Sequence, residues 1–142
     1  MAENEGIDPG FLFRHGDAQD VVTVRPGEPV FRAGDKGGVM FVLLEGKADV
    51  LIGGSIVEKA SAGALFGEMG LIDQAEKRSA TVIATAECKL VPVDLDRFHI
   101  LVRRTPQFAS YVMKIIVARL RKMNADLVHR QGSKSAAAAS SS

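Results

Sequence analysis

The stretch RPGEPVFRAGDKGGVMFVLLEGKADVLIGGSIVEKA (residues 25–60) indicates the fold class of this chain. It contains short runs rich in β-branched and aromatic residues, separated by glycine turns: PVF (29–31), VMFVLL (39–44), ADVLI (48–52) and SIVEKA (55–60). Short strands with turns at this spacing are typical of an antiparallel sandwich or barrel. The pair Gly53-Gly54 predicts a two-residue hairpin, because both of its positions can take a positive φ.

The same pattern continues on both sides of this stretch, with one interruption. VVTV (21–24) precedes it, and ATVIATA (80–86) and CKLVPV (88–93) follow it. Between them, LFGEMGLIDQAEKR (65–78) has no alternation of polar and apolar residues, so it predicts a helical turn followed by a polar loop. Loops held on a rigid scaffold often carry binding sites, and we therefore expect the functional residues in this interval.

The last third of the chain is predicted to be helical. LDRFHILVRR (95–104) has helical spacing, and a second helix is expected over residues 106–130, with Pro106 in its first turn. In this helix an apolar series follows the spacing of a coiled-coil seam: Met113, Ile116, Leu120, Met123 and Leu127. The seam favours a homodimer through helix 106–130. The alternative is that the stripe packs on its own domain.

The chain is expected to divide into three parts. Residues 1–19 are predicted to be a leader with a short helical turn, and residues 20–131 to be one domain that includes the C-terminal helix. The low-complexity sequence GSKSAAAASSS (132–142) predicts a disordered tail.

Composition and charge narrow the function classes. A single cysteine, Cys88, excludes an internal disulfide, and the acidic N-terminus does not resemble a secretory signal. No apolar run approaches the roughly 18 residues that span a bilayer, so we expect a cytoplasmic protein with no membrane partner. The net charge of +1 and the absence of a helix-turn-helix disfavour nucleic acid as a partner. The basic segment 97–134 is expected to be a solvated helix face.

The sequence also lacks the patterns of a catalytic or metal site. His15, His99 and His129 are far apart, and no nucleophile–histidine set or metal-ligand spacing is present. Cys88 lies in an apolar run with no activating base nearby, which predicts a buried and inert thiol. We therefore expect a protein that is not an enzyme and that has neither catalytic residues nor a metal or other cofactor.

The interval 65–78 and the residues after it carry groups suited to a nucleotide. Glu68 follows Gly67 and begins a helical turn, whose N–H groups suit a phosphate. Arg78 offers a planar fork that fits two phosphate oxygens, and Ser79 can add donors. A carboxylate beside a phosphate repels it unless the carboxylate also accepts a hydrogen bond from the ligand. A ribose 2′-hydroxyl can donate that hydrogen bond. The alternative is a plain surface ion pair between Glu68 and Arg78.

The segment LFGEMGLIDQAEKRSATV (65–82) closely resembles the phosphate-binding cassette of the cyclic nucleotide-binding domain family. Members occur in bacterial catabolite activator proteins, in regulatory subunits of cyclic-nucleotide-dependent kinases and in nucleotide-gated channels. The resemblance covers roughly residues 20–128 and is specific in F-G-E, the arginine ten residues on, and S-A-T-V. It implies an α+β fold, an antiparallel β-barrel or jelly roll with a short cassette helix and C-terminal helices.

The resemblance also implies roles for individual residues. Glu68 would accept the ribose 2′-hydroxyl, and Arg78 would neutralise the cyclic phosphate. Asn124 is a candidate contact to the edge of the base, the alternative being an ordinary solvated helix residue. The full set of expected ligand-binding residues is Phe66, Gly67, Glu68, Met69, Arg78, Ser79, Ala80, Val82 and Asn124.

The function implied by the resemblance is a stand-alone, non-enzymatic sensor. It would bind cAMP, and cGMP more weakly, because serine rather than threonine follows the arginine at Ser79. It would signal to an unknown downstream protein by moving its C-terminal helix as a lid. The alternative function is a degenerate interaction module that keeps the fold and binds no nucleotide.

Overall fold

A computed structural model of the chain describes residues 21–72 and 77–141, with side chains described at 21–71 and 77–128. The predicted leader, 1–19, and the end of the polar loop, 73–76, lie outside the described residues. The chain divides into two compact units, residues 1–108 and 109–142.

The first unit contains two four-stranded antiparallel sheets. Its strands are β1 (Val22–Val24), β2 (Pro29–Phe31), β3 (Met40–Glu45), β4 (Lys47–Ile52), β5 (Ser55–Ser61), β6 (Leu65–Phe66), β7 (Thr81–Ala84) and β8 (Cys88–Val93). One sheet has the order β1-β8-β3-β6 and the other β2-β7-β4-β5. The predicted strands are confirmed, and the short strand β6 lies at the start of the cassette. The fold is the expected jelly-roll type of β-sandwich with helices.

The core lies between the two sheets. Its buried members come from strands of both sheets: Val24, Leu43, Ala48, Ala60, Phe66, Val82, Ala84, Cys88 and Leu90. In β7 alternate residues, Val82 and Ala84, are buried, which is how a sandwich buries its apolar side chains. Burial of these side chains stabilises the strands that position the functional residues.

Glycines at positive φ close the turns between the strands. Gly53 and Gly54 have φ of 59° and 83°, so the predicted two-residue hairpin between β4 and β5 is confirmed. Gly46, between β3 and β4, has φ of 107°, and a Cβ there would meet the carbonyl of Glu87 and the side chain of Cys88. A side chain at Gly46 would therefore push β8 away from its neighbours.

Three helices complete the described elements, namely α1 (Glu68–Ile72), α2 (Leu95–Arg104) and α3 (Gln107–Ser141). α1 confirms the predicted helical turn. The carboxylate of Asp94 accepts a hydrogen bond from the Arg97 N–H at 2.8 Å and so caps α2. Phe108, the last residue of the first unit, is buried, and its ring lies 5.7 Å from that of Phe98.

The second unit is the rest of α3, and it has two apolar faces. Tyr111 and Val112 are buried, as Phe108 is in the first unit. Most residues of the predicted coiled-coil seam are exposed instead. More than half of the side chain is exposed at Met113, Leu120, Met123 and Leu127. Ile116 is half-buried.

α3 also continues beyond residue 131, where the sequence predicted a disordered tail, and its backbone is helical to Ser141. Alanine has the highest helix propensity, and residues 136–139 are all alanine. The predicted domain boundaries stay predictions. No helix of the described residues is long and apolar enough to cross a membrane.

Candidate functional site

The candidate site lies where the loop before β3, the start of α1 and the residue before β7 meet. Backbone hydrogen bonds join the first and last of these segments. The Arg78 N–H donates to the Asp35 carbonyl at 2.7 Å, and the Gly34 N–H donates to the Arg78 carbonyl at 2.8 Å. Lys36 and Lys77 form an isolated antiparallel bridge beside this pair. This pairing places Arg78 beside the loop that leads to β3.

A tight turn holds this loop in place. The Asp35 carboxylate accepts a hydrogen bond from the Arg32 N–H at 2.9 Å, and the Asp35 N–H donates back to the Arg32 carbonyl at 3.0 Å. Asp at this position can bond the backbone of its own turn, which stabilises the turn without help from the rest of the protein. Asp35 thus fixes the loop and also brings a negative charge close to Arg78.

The guanidinium of Arg78 turns inward and bonds to two backbone carbonyls. Nη2 donates to the Val39 carbonyl at 2.6 Å, and Nη1 donates to the Gly67 carbonyl at 3.4 Å. The first bond is short, as expected when the donor is charged. Arg78 therefore links the entry of β3 to Gly67 in the cassette.

One donor of this guanidinium is left over. Nε of Arg78 is buried and has no hydrogen-bond partner among the described residues. A buried N–H without a partner costs about 1–3 kcal/mol, so such groups in native proteins usually meet a ligand, water or ion. Nε is thus the donor of the fork that has no acceptor in the described part of the chain.

Burial and nearby carboxylates act on Arg78 in opposite directions. Desolvation by burial lowers the pKa of Arg78, and the negative charges of Asp35 and Glu68 raise it. Arginine keeps its proton throughout the physiological range, so the site always presents a positive charge. In a partly buried position that charge attracts an anion more strongly than it would in water.

The glycines of the cassette are required by close packing. Gly67 has φ of 79°, and a Cβ there would meet Nη1 of Arg78 and lie 3.1 Å from the Val39 carbonyl. A Cβ on Gly70 would lie 3.2 Å from Nη1 of Arg78 and 3.2 Å from Cα of Gly37. Both positions bring the backbone of the cassette against the guanidinium and the loop before β3.

The structure brings together only part of the predicted set. Gly67, Glu68 and Arg78 lie close together, as the contacts and charges above show. Met69 and Ser79 are exposed, and Ala80 is half-buried. Their roles toward a ligand stay predictions.

The structure describes the burial of three other predicted residues. Phe66 and Val82 are buried in the core between the sheets, 2% and 1% exposed. Asn124 is exposed on α3 in the second unit. The contacts of Val82 and Asn124 with a base stay predictions.

Several groups around Arg78 were not predicted from the sequence. They are Phe31, Asp35, the carbonyl of Val39 and the backbone of Gly37-Gly38. All lie in FRAGDKGGV (31–39), so its closely spaced glycines before a strand were a usable sign of a functional loop. No spacing along the chain could show that the Val39 carbonyl faces Arg78, because the two residues meet only through the pairing of distant segments.

Comparison with known proteins gives the family. The sequence model of the cyclic nucleotide-binding domain matches residues 21–105, which is more than half of the chain. This chain belongs to the cyclic nucleotide-binding domain family.

Relatives of known sequence and structure agree with this. The chain is 31% identical over 106 residues to the cyclic AMP receptor protein of Thermus thermophilus, covering 71% of this chain and 49% of the receptor. It is 42% identical over 77 residues to a cGMP-dependent protein kinase of Toxoplasma gondii, covering 54% of this chain and 7% of the kinase. The chain thus spans about half of the receptor and a small part of the kinase.

A solved structure shows the same architecture. The crystal structure of the Thermus thermophilus catabolite activator protein superposes with a TM-score of 0.67 at 25% identity, covering 84% of this chain and 62% of that protein. The domain is therefore of the type found in catabolite activators, a regulatory ligand-binding domain.

Proposed function

We propose that this chain is a sensor domain that binds a cyclic purine mononucleotide, cAMP in preference to cGMP. The observation that carries the proposal is the buried Nε of Arg78, which has no partner among the described residues. An anionic phosphate oxygen would satisfy this donor and neutralise the partly desolvated charge. In this family the ligand that brings such an oxygen is a cyclic nucleotide.

Glu68 supports a nucleotide rather than free phosphate. Its charge acts on Arg78, and a second anion placed beside both would be repelled by Glu68. A ribose 2′-hydroxyl can donate to the carboxylate, which turns this repulsion into a hydrogen bond. In the proposal Arg78 holds the phosphate, Glu68 holds the sugar, and backbone amides of Gly67, Met69 and Ala80 add donors.

The preference for cAMP depends on Ser79. Threonine at this position is associated with cGMP in the family, and this chain has serine. The two curated relatives differ in their named nucleotide, one being a cyclic AMP receptor and the other a cGMP-dependent kinase. Their names therefore do not choose between the ligands, and the proposal is tested with both.

The output in this proposal is a change in population between two conformations. A nucleotide that binds one conformation of the cassette more tightly shifts the equilibrium toward it. The C-terminal helix would then move and offer a surface to a downstream protein in the cytoplasm.

Calorimetric titration with cAMP and cGMP tests the ligand. Wild type is expected to bind cAMP more tightly than cGMP, and Arg78→Ala to lose at least about 2 kcal/mol, or about thirtyfold in affinity. Arg78→Lys keeps the charge but not the fork, and we expect intermediate affinity. Arg25→Ala is the matched control, because Arg25 is exposed and it is its backbone N–H that donates to the Glu28 carboxylate. Failure of wild type to bind either nucleotide would favour the alternative of a degenerate module.

A comparison of cAMP with 2′-deoxy-cAMP tests Glu68. Wild type should bind the deoxy analogue about tenfold more weakly, the value of one hydrogen bond to a charged group. Glu68→Ala has no side-chain acceptor and should bind the two ligands with nearly equal affinity. Equal discrimination by both proteins would remove Glu68 from the sugar site.

A further inference from the structure

The guanidinium carbon of Arg78 lies over the ring of an aromatic side chain that no motif predicted. Cζ of Arg78 is 4.3 Å from the centroid of the Phe31 ring. The ring of Phe41 is farther away, at 5.9 Å. The two rings have centroids 6.0 Å apart and are tilted by 34°. Of these two rings, that of Phe31 is the closer to the charge.

Pairing of β2 with β7 produces this contact. Phe31 ends β2 and pairs with Val82 of β7, the strand that Arg78 precedes. The pairing brings the backbone of Phe31 beside β7, and the ring lies next to Arg78.

The ring and the two carbonyls restrain different degrees of freedom of the guanidinium. The carbonyls of Val39 and Gly67 bond to Nη2 and Nη1, and so fix the group within its own plane. A ring on one face opposes rotation out of that plane. The remaining edge carries Nε, the buried donor that has no partner in the described part of the chain.

We propose that Phe31 is a positioning residue of the phosphate site, and that its ring holds the plane of the Arg78 guanidinium so that the Nε edge remains available to the bound phosphate. This inference rests on the proposed function, in which Arg78 holds the cyclic phosphate. Phe31 acts through Arg78 and fixes the geometry of the fork before the ligand arrives. A guanidinium held in advance loses less conformational freedom on binding, which tightens the complex.

The first measurement is made on the ligand-free protein and does not depend on the nucleotide. The Nε–Hε signal of Arg78 in a ¹⁵N–¹H NMR spectrum is assigned from its absence in Arg78→Lys. A proton held over an aromatic face is shifted upfield, so we expect an upfield signal in wild type and in Phe31→Tyr. Phe31→Leu and Phe31→Met should both move the signal downfield, because neither side chain has a ring.

The second measurement is calorimetric titration of the same proteins with cAMP. Phe31→Leu and Phe31→Met are expected to bind about tenfold more weakly, the scale of a partly desolvated cation–π contact. Phe31→Tyr keeps the ring and should bind within about twofold of wild type. Phe41→Leu is the matched control: it removes an aromatic ring from β3, farther from Arg78, and should weaken binding by less than about threefold.

The outcomes separate this inference from the proposed function. If wild type binds cAMP and Phe31→Leu binds equally well, or if the Arg78 Nε signal is the same in both, Phe31 has no positioning role. If wild type binds neither cAMP nor cGMP, the proposed function fails, and the NMR comparison still decides whether Phe31 holds the guanidinium. Should both Leu and Met variants fail to fold, a wild-type Nε signal without an upfield shift would overturn the inference.

Discussion

At the scale of single residues, Arg78 is held by groups from separate parts of the chain. A ring from β2, a carbonyl before β3 and a carbonyl before α1 all contact its guanidinium. Together these contacts place a charged fork in a partly buried position. The backbone at Gly67 is the contact that tolerates least change, because its φ of 79° and its closeness to Arg78 both exclude a side chain.

Gly67→Ala is expected to lower the free energy of unfolding by about 2 kcal/mol, since a Cβ is strained at positive φ and also displaces the guanidinium. The affinity for cAMP should fall by at least about tenfold, because the displaced guanidinium no longer directs Nε to the phosphate. Urea unfolding measures the first effect and calorimetry the second.

The control for this variant is Gly54→Ala in the β4–β5 hairpin. Gly54 also has positive φ, 83°, but a Cβ there would have no atom within 4 Å. We expect a loss of about 1 kcal/mol in stability from backbone strain alone, with cAMP affinity unchanged. If both variants bind cAMP as wild type does, the close packing at Gly67 is not needed for the site.

At the scale of elements, β8 carries the lone cysteine into the core. Cys88 is buried, and its thiol donates to the Lys47 carbonyl at 3.1 Å and to the Ala86 carbonyl at 3.3 Å. The buried position predicted from the sequence is confirmed. Burial raises the pKa of the Cys88 thiol, and the hydrogen bond to Lys47 opposes this shift more weakly.

The raised pKa predicts a loss of stability in alkali. Above the ordinary thiol pKa of about 8.5 the unfolded chain releases the proton while the folded chain keeps it, so the unfolded state binds fewer protons and the free energy of unfolding falls as pH rises. Below that pH both states keep the proton and the effect vanishes. Urea unfolding of wild type and Cys88→Ala between pH 7 and 10 measures the difference.

Comparison of the two proteins separates the effect of the thiol on the pH dependence of stability from the effects of lysine and tyrosine, which are present in both. Cys88→Ala should be less stable than wild type at pH 7, because it leaves a cavity, but its stability should fall less between pH 8 and 10. Parallel pH profiles for the two proteins would show that Cys88 does not ionise on unfolding.

At the scale of the whole molecule, the exposed seam on α3 bears on the assembly state. Met113, Leu120, Met123 and Leu127 are each more than half exposed, although all are apolar. Apolar residues at coiled-coil spacing favour burial against another helix. This supports the proposed homodimer through helix 106–130, with a second copy of the chain as the partner.

Sedimentation measurements test the dimer. Wild type is expected to sediment as a dimer, and Leu120→Glu/Leu127→Glu as a monomer, because two charges per chain would have to be buried in the seam. Ala118→Glu is the control: Ala118 is exposed, and at 100° per residue it lies on the opposite side of α3 from Leu120. A monomeric wild type would contradict the prediction.

Much of the fold could be predicted from local patterns. Neighbouring residues specify the strand runs, the Gly53-Gly54 hairpin, the helical turn at 68–72 and α2 at 95–104. All of these elements are confirmed. The disordered tail predicted at 132–142 from low complexity stays a prediction, as do the other domain boundaries.

The sequence by itself determined the strands, the glycine turns and the pair Glu68 and Arg78 with its spacing, because these depend on side-chain chemistry and on residues close together in the chain. Only the tertiary structure decided what surrounds Arg78. Phe31 and Val39 reach it through pairing between distant segments, and strand pairing depends on burial in the common core. It also decided that Val82, a candidate for the base, lies in that core, since the register of β7 determines which of its side chains face inward.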